Sequence, residues 1–121
     1  MIEKIFAVMI FVLIIGGVIV NSLFLQSTID LITSEVVELS INSENALKNV
    51  TEINDNFKQK ESFIALTVNH NDLTNIEDCF AELTGYLSVG DFNGAEVTKY
   101  RLISFLKHLR RLVGFNIDTI I

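Results

Sequence analysis

From Ile5 to Val20, sixteen consecutive residues carry no polar side chain: IFAVMIFVLIIGGVIV. Asn21 and Ser22 interrupt mildly before Leu23, Phe24 and Leu25. Ile5 to Leu25 is 21 residues, about 31 Å of α-helix, which matches the hydrocarbon core of a bilayer. Backbone in lipid has to satisfy its own hydrogen bonds, so the span is expected to be helical. A core helix of this length without a charge would be out of place in so small a domain. A cleaved signal peptide would need a basic start, a shorter apolar stretch and a small-residue cleavage site. Met-Ile-Glu-Lys precedes this stretch and no A-x-A pattern follows it. No cysteine lies near its end, which argues against a lipoprotein. The expectation is an uncleaved single-pass signal anchor over 1–26 and a folded domain over 27–121.

Orientation is read from basic residues near each end of the span. Lys4 and the terminal amine stand before it. After it Asp30, Glu35 and Glu38 come first, and the first basic residue is Lys48. That places the N-terminus in the cytoplasm and the domain outside the cell membrane. Gly16-Gly17 lacks GxxxG spacing and reads as ordinary glycine tolerance in a lipid-facing helix.

Glu3 and Lys4 are the only charged residues before Gln26, so the whole net charge of −6 sits on the domain. An acidic domain repels phosphate backbones, which argues against nucleic acid as a partner. It also gives no reason to expect attraction to anionic lipid. The single cysteine, Cys79, cannot form an intrachain disulfide. With no proline and six glycines, the composition favours long helices over a turn-rich β fold.

Helical spacing runs through the domain. Ile29, Ile32, Val36 and Leu39 form one stripe, and Ala46, Val50, Ile53, Phe57 and Ile64 a second. Leu73, Ile76, Phe80, Leu83 and Leu87 form a third. The fourth has Ala95, Thr98, Leu102, Phe105, Leu109 and Leu112, widened by Leu106 and Val113. Stripes this wide suit a bundle rather than a two-stranded coiled coil. Gly90–Gly94 is a clear turn, and Asn69-His70-Asn71-Asp72 a helix stop and restart with Asn71 or Asp72 able to cap. Asn42–Asn45 is a weaker break. A partial repeat, Leu39–Ala46 against Leu87–Ala95, supports it. The expected fold is all-α: the transmembrane helix, then an up-down antiparallel bundle of four helices at roughly 28–41, 44–68, 72–88 and 95–113. The alternative has three, one of them about 40 residues and ~60 Å long.

The candidate polar cluster is His70, Asp72, Glu77, His108, Arg110 and Arg111. In a hairpin centred near Phe92, His108 lies level with Asn75, and His70 lies near Val113. That is too far apart for one metal. The Glu-x-x-His pairs of di-metal bundles are missing, and structural zinc wants four convergent ligands, so neither metal nor cofactor is expected. Lys107, Arg110 and Arg111 face Asp72, Glu77 and Asp78 across that hairpin, which reads as surface ion pairing. Cys79, beside its stripe and among Glu77, Asp78 and Glu82, reads as a buried apolar filler. With no nucleophile arrangement and no glycine-rich phosphate loop, no catalytic residue is assigned.

Phe57, His70-x-Asp72-Leu73-x-x-Ile76-Glu77, the Gly90–Ala95 turn and Asn116-Ile117 together resemble a family of uncharacterised small single-pass bacterial membrane proteins. That family is a domain of unknown function found mainly in low-GC Gram-positive species. Its aromatic at the first of these positions is often tryptophan. The resemblance spans most of the chain and implies a short anchor followed by a helical domain, without an activity. Two functions are expected in order: a non-enzymatic interaction module docking on a larger membrane protein or on itself, then an extracytoplasmic sensor bundle with a ligand near His70, Glu77 and His108.

Overall fold

The structure is a computed structural model describing residues 1–66 and 68–120, with the backbone alone for Ser22 and 114–120. The late Asn116-Ile117 of the resemblance therefore lies outside the described side chains. Four helices follow one another: α1 (Ile2–Val37), α2 (Ala46–Ala65), α3 (His70–Ser88) and α4 (Phe92–Ile120). No strand occurs among the described residues. Each helix packs on its neighbours in the order α1–α2–α3–α4 and back to α1. This is the up-down antiparallel bundle expected from the spacing.

One expectation is corrected at the start of the chain. The span and the first bundle helix were expected to be separate, ending near Leu25 and restarting near 28. They are one unbroken helix of 36 residues. Nothing at Gln26, Ser27 and Thr28 stops a helix: there is neither glycine nor proline. The threonines there spend their hydroxyls inside the helix, Thr28 donating to the Phe24 carbonyl at 2.9 Å and Thr33 to that of Ile29 at 2.7 Å. Leu25, placed in the span by its hydropathy, is fully buried in the bundle core with Ile29, Ile32 and Val36.

The break after α1 is real, which settles the bundle at four helices. The Glu38 N–H still reaches the Ser34 carbonyl, and the last turn tightens as Leu39 N–H bonds Val36 at 3.1 Å. Serine and asparagine then take over the backbone. Ser43 N–H bonds the Ser40 carbonyl and the Ser43 hydroxyl accepts from Asn45 N–H, both at 3.2 Å. Ile41 folds under as a plug, 3% exposed. Lys99 of α4 donates to the Leu39 carbonyl at 2.7 Å, placing a cation where the α1 carbonyls end.

Helix α3 is capped by Asn69, whose Oδ1 accepts from Asn71 N–H at 3.0 Å. This corrects the choice of Asn71 or Asp72, which lie in the first turn. Helix α3 ends in a paired bond pattern, Asp91 N–H to Tyr86 at 2.9 Å and Gly90 N–H to Leu87 at 3.3 Å, around Gly90 at φ +75°. Helix α4 starts within the expected turn, at Phe92 rather than 95, because Asp91 Oδ1 accepts from Gly94 N–H at 3.0 Å. Gly94 is required there: a Cβ would stand 2.7 Å from the Tyr86 ring.

The stripes meet in one core. Phe57 of α2 and Phe80 of α3 stack at its centre with ring centroids 5.7 Å apart. Burying each such side chain stabilises the fold by roughly 1.5–3 kcal/mol relative to leaving it exposed. On α4 the buried positions are Ala95, Thr98, Leu102, Leu106, Leu109 and Val113. The stripe is therefore turned slightly from the one expected, with Phe105 and Leu112 at its edge.

Candidate functional site

The α3–α4 hairpin turns about Gly90 rather than Phe92, because the glycine closes α3 and α4 restarts at once. His108 consequently meets Asp72, not Asn75, with Nε2 3.7 Å from Oδ1. That is too long for a hydrogen bond. His70 is exposed at the first turn of α3, and Glu77 is half-buried further along that helix. Arg110 turns away from α3. Its Nε donates to Asp30 Oδ1 on α1 at 2.9 Å. Arg111 stands on the outer face of α4 with Ser104, Lys107 and Arg110, around an open hollow of about 470 Å³.

The six expected residues thus do not converge on one site: His108 meets Asp72, Arg110 pairs with Asp30, Arg111 lies beside Arg110 on the outer face of α4, and the His70 and Glu77 side chains join neither ion pair. The expected pairing of Arg110 across the hairpin is corrected, since a four-helix ring offers α4 a second acidic neighbour in α1. Among the described residues no group of three metal-ligating side chains converges. Both imidazoles stand in water, so the geometry gives a ligand site between His70, Glu77 and His108 no support.

Sequence reasoning missed a second α3–α4 contact. Arg101 pairs with Glu82 and places its guanidinium beside the buried Cys79 thiol. Burial pushes the thiol pKa up from 9.0, and Arg101 only partly opposes this. The thiol is therefore held neutral, as befits a core filler. The hairpin register carries the signal for this contact: once Gly90 is the centre, 79 and 101 are level.

A third feature lies where the bundle meets the apolar end of α1. Phe24 packs edge-to-face on Phe63 of α2, centroids 6.4 Å apart at 78°. Lys60 Nζ stands 5.6 Å from the Phe24 ring centroid, a cation–π distance. This explains why Lys60 breaks the α2 stripe: it belongs to the junction, not the core. A groove of about 390 Å³ between α1 and α2 begins at Phe24 and Lys60 and runs past Leu31 to Glu35.

Along α1 below this junction most of the large side chains are exposed: Phe6, Phe11 and Leu13 are all more than half exposed, and Ile15 and Ile19 are half-buried. The helix is long and apolar enough to cross a membrane. No family model matches the chain, and no curated protein or solved structure matches it.

Proposed function

We propose that the chain is a membrane-anchored, non-enzymatic interaction module, accessory to a larger membrane protein or self-associating. The observation that carries this is the double role of α1. Between Ile5 and Leu23 its large apolar side chains are mostly exposed among the described residues, and from Leu25 to Val36 its inner face is a wall of the bundle. The bundle is thereby fixed to the span without a linker, and its exposed faces meet only partners at the same membrane surface. The scattering of the polar candidates supports a docking role over a chemical one.

The same proposal makes α1 an uncleaved, single-pass signal anchor with a cytoplasmic N-terminus. Lys4 lies on one side and the next basic residue along the chain is Lys48. It also carries the resemblance to small single-pass bacterial proteins, which rests on Phe57, the His70–Glu77 motif and the Gly90–Ala95 turn of the sequence. Protease treatment of intact cells, followed by cross-linking and native electrophoresis of gentle detergent extracts, tests it. The expected result is a bundle digested from outside and a discrete complex larger than one chain. A monomer without reproducible cross-links would overturn the module reading, and a bundle protected in intact cells would overturn the orientation.

A further inference from the structure

The geometry points to the membrane-facing end of the bundle being seated in the interfacial layer of the bilayer that α1 crosses. Phe63 and Leu66 lie at the acyl boundary and Lys60 at the level of the phosphates. This rests on the reading of α1 as a span.

Lipid-facing α1 ends at a sharp point. Phe24 is 46% exposed and Leu25 is fully buried, so the bundle begins within one residue of the apolar surface. Helix α2 runs back toward the span, and Phe63 rests on Phe24. Leu66 lies three residues further in that direction, ~4.5 Å nearer the bilayer, and is 82% exposed. Phe63 also overhangs an apolar hollow of about 820 Å³ on the span, lined by Val12, Gly16, Val20 and their neighbours. Its surface is continuous with the lipid-facing face, so acyl chains are its natural occupant. Lys60 has an apolar stem long enough to lie along Phe24 while its ammonium rises to the headgroups. On the opposite side, the Arg110–Asp30 pair sets its stretch of α4 about 7.5 Å above Leu25. Arg111 is therefore also at headgroup height. Exposed apolar side chains occur at the distal end too, at Val89 and Phe92. They share no surface with the span, which is why lipid is assigned to one end only.

The chain has no tryptophan, so single-tryptophan variants of the full chain read depth directly. Ile10→Trp, Leu66→Trp, Phe63→Trp and Val89→Trp are reconstituted in vesicles of phosphatidylcholine with one-quarter phosphatidylglycerol, with and without brominated phosphatidylcholine. Leu66 is exposed, so its variant leaves the core intact, and protection of Cys79 from thiol reagents confirms folding of each. The residue-66 and residue-63 probes are expected to emit to the blue and lose most of their emission to lipid brominated near the headgroup. The residue-10 probe answers to deep bromines, and the residue-89 probe only to aqueous acrylamide. If the residue-66 probe behaves like that at 89 while the residue-10 probe is quenched by lipid, the span stands and the seating falls. Shielding of residue 66 from both quenchers means that protein covers it, and this also overturns the seating. An unquenched residue-10 probe overturns the span itself.

Discussion

Helix α1 carries two apolar segments that differ in what surrounds them. Between Ile5 and Phe24 the large apolar side chains are mostly exposed. From Leu25 to Val36 the same helix buries Leu25, Ile29, Ile32 and Val36, with Asp30, Ser34 and Glu35 on the other faces. Backbone geometry is the same in both. The difference is periodicity: a one-sided stripe is satisfied by a neighbouring helix, whereas a helix apolar all round needs an apolar medium. The transition takes one residue, so mean hydropathy cannot place it, and a window rule draws Leu25 into the span. What fixes the boundary is the arrival of α2 and α4.

The sharpest way to break this comparison is to put one charge in each segment. Ile29→Asp leaves a carboxylate unpaired in the core and is expected to cost about 3–5 kcal/mol, enough to unfold a small domain. Ile10→Asp is expected to cost roughly 2.5–3.5 kcal/mol of membrane insertion and to leave the bundle folded. Cys79, 1% exposed, separates the two by thiol labelling. It should react quickly in Ile29→Asp and stay protected in Ile10→Asp, while alkaline extraction shows the reverse order of release. Equal labelling in both variants would mean that the two segments are not energetically distinct.

A smaller effect tests how closed the bundle is. The Cys79 thiol is raised above 9.0 by burial. Below that value both folded and unfolded thiols are protonated and the group adds no pH dependence. Above it the unfolded chain gives up its proton first, so stability falls as pH rises until the folded value is passed. The denaturant midpoint of the wild type should therefore drop more steeply above 9.0 than that of Cys79→Ala. Arg101→Gln should steepen the drop, because the guanidinium opposes the rise. Parallel curves for wild type and Cys79→Ala would mean that water reaches the thiol.

The apolar pattern carried most of the fold. Every residue of the expected stripes from Ile29 to Leu83 is buried, since helical spacing records which face is hidden regardless of what hides it. Three things were not legible, each for a spatial reason. The junction of α1 with the bundle has no local signal, because no breaker residue occurs there. The hairpin register depended on whether α4 restarts at Phe92 or Ala95, and an Asp91 cap is a matter of one side-chain torsion. Of the polar residues, His108 with Asp72 was nearly in reach of sequence reasoning, being one turn off. Arg110 with Asp30 was not, because residues 80 apart become neighbours only when the ring of four helices closes.

That closing contact gives the smallest expected effect and bears on the boundary itself. Asp30 lies on the exposed side of α1, five residues past Leu25, and its partner Arg110 is the only ion-pair contact between α1 and α4 among the described residues. Both side chains are partly in water, so screening limits the pair to about 0–1 kcal/mol. Asp30→Asn should shift the unfolding midpoint slightly, and the shift should shrink with added salt because the pair is exposed. The double variant with Arg110→Gln should cost no more than the larger of the two single changes. A shift much larger than this, or one that salt leaves unchanged, would indicate that the pair is shielded from water. The lower end of the bundle would then sit deeper in the interface than the exposed position of Asp30 implies, and the border between the two segments of α1 would move toward Asp30.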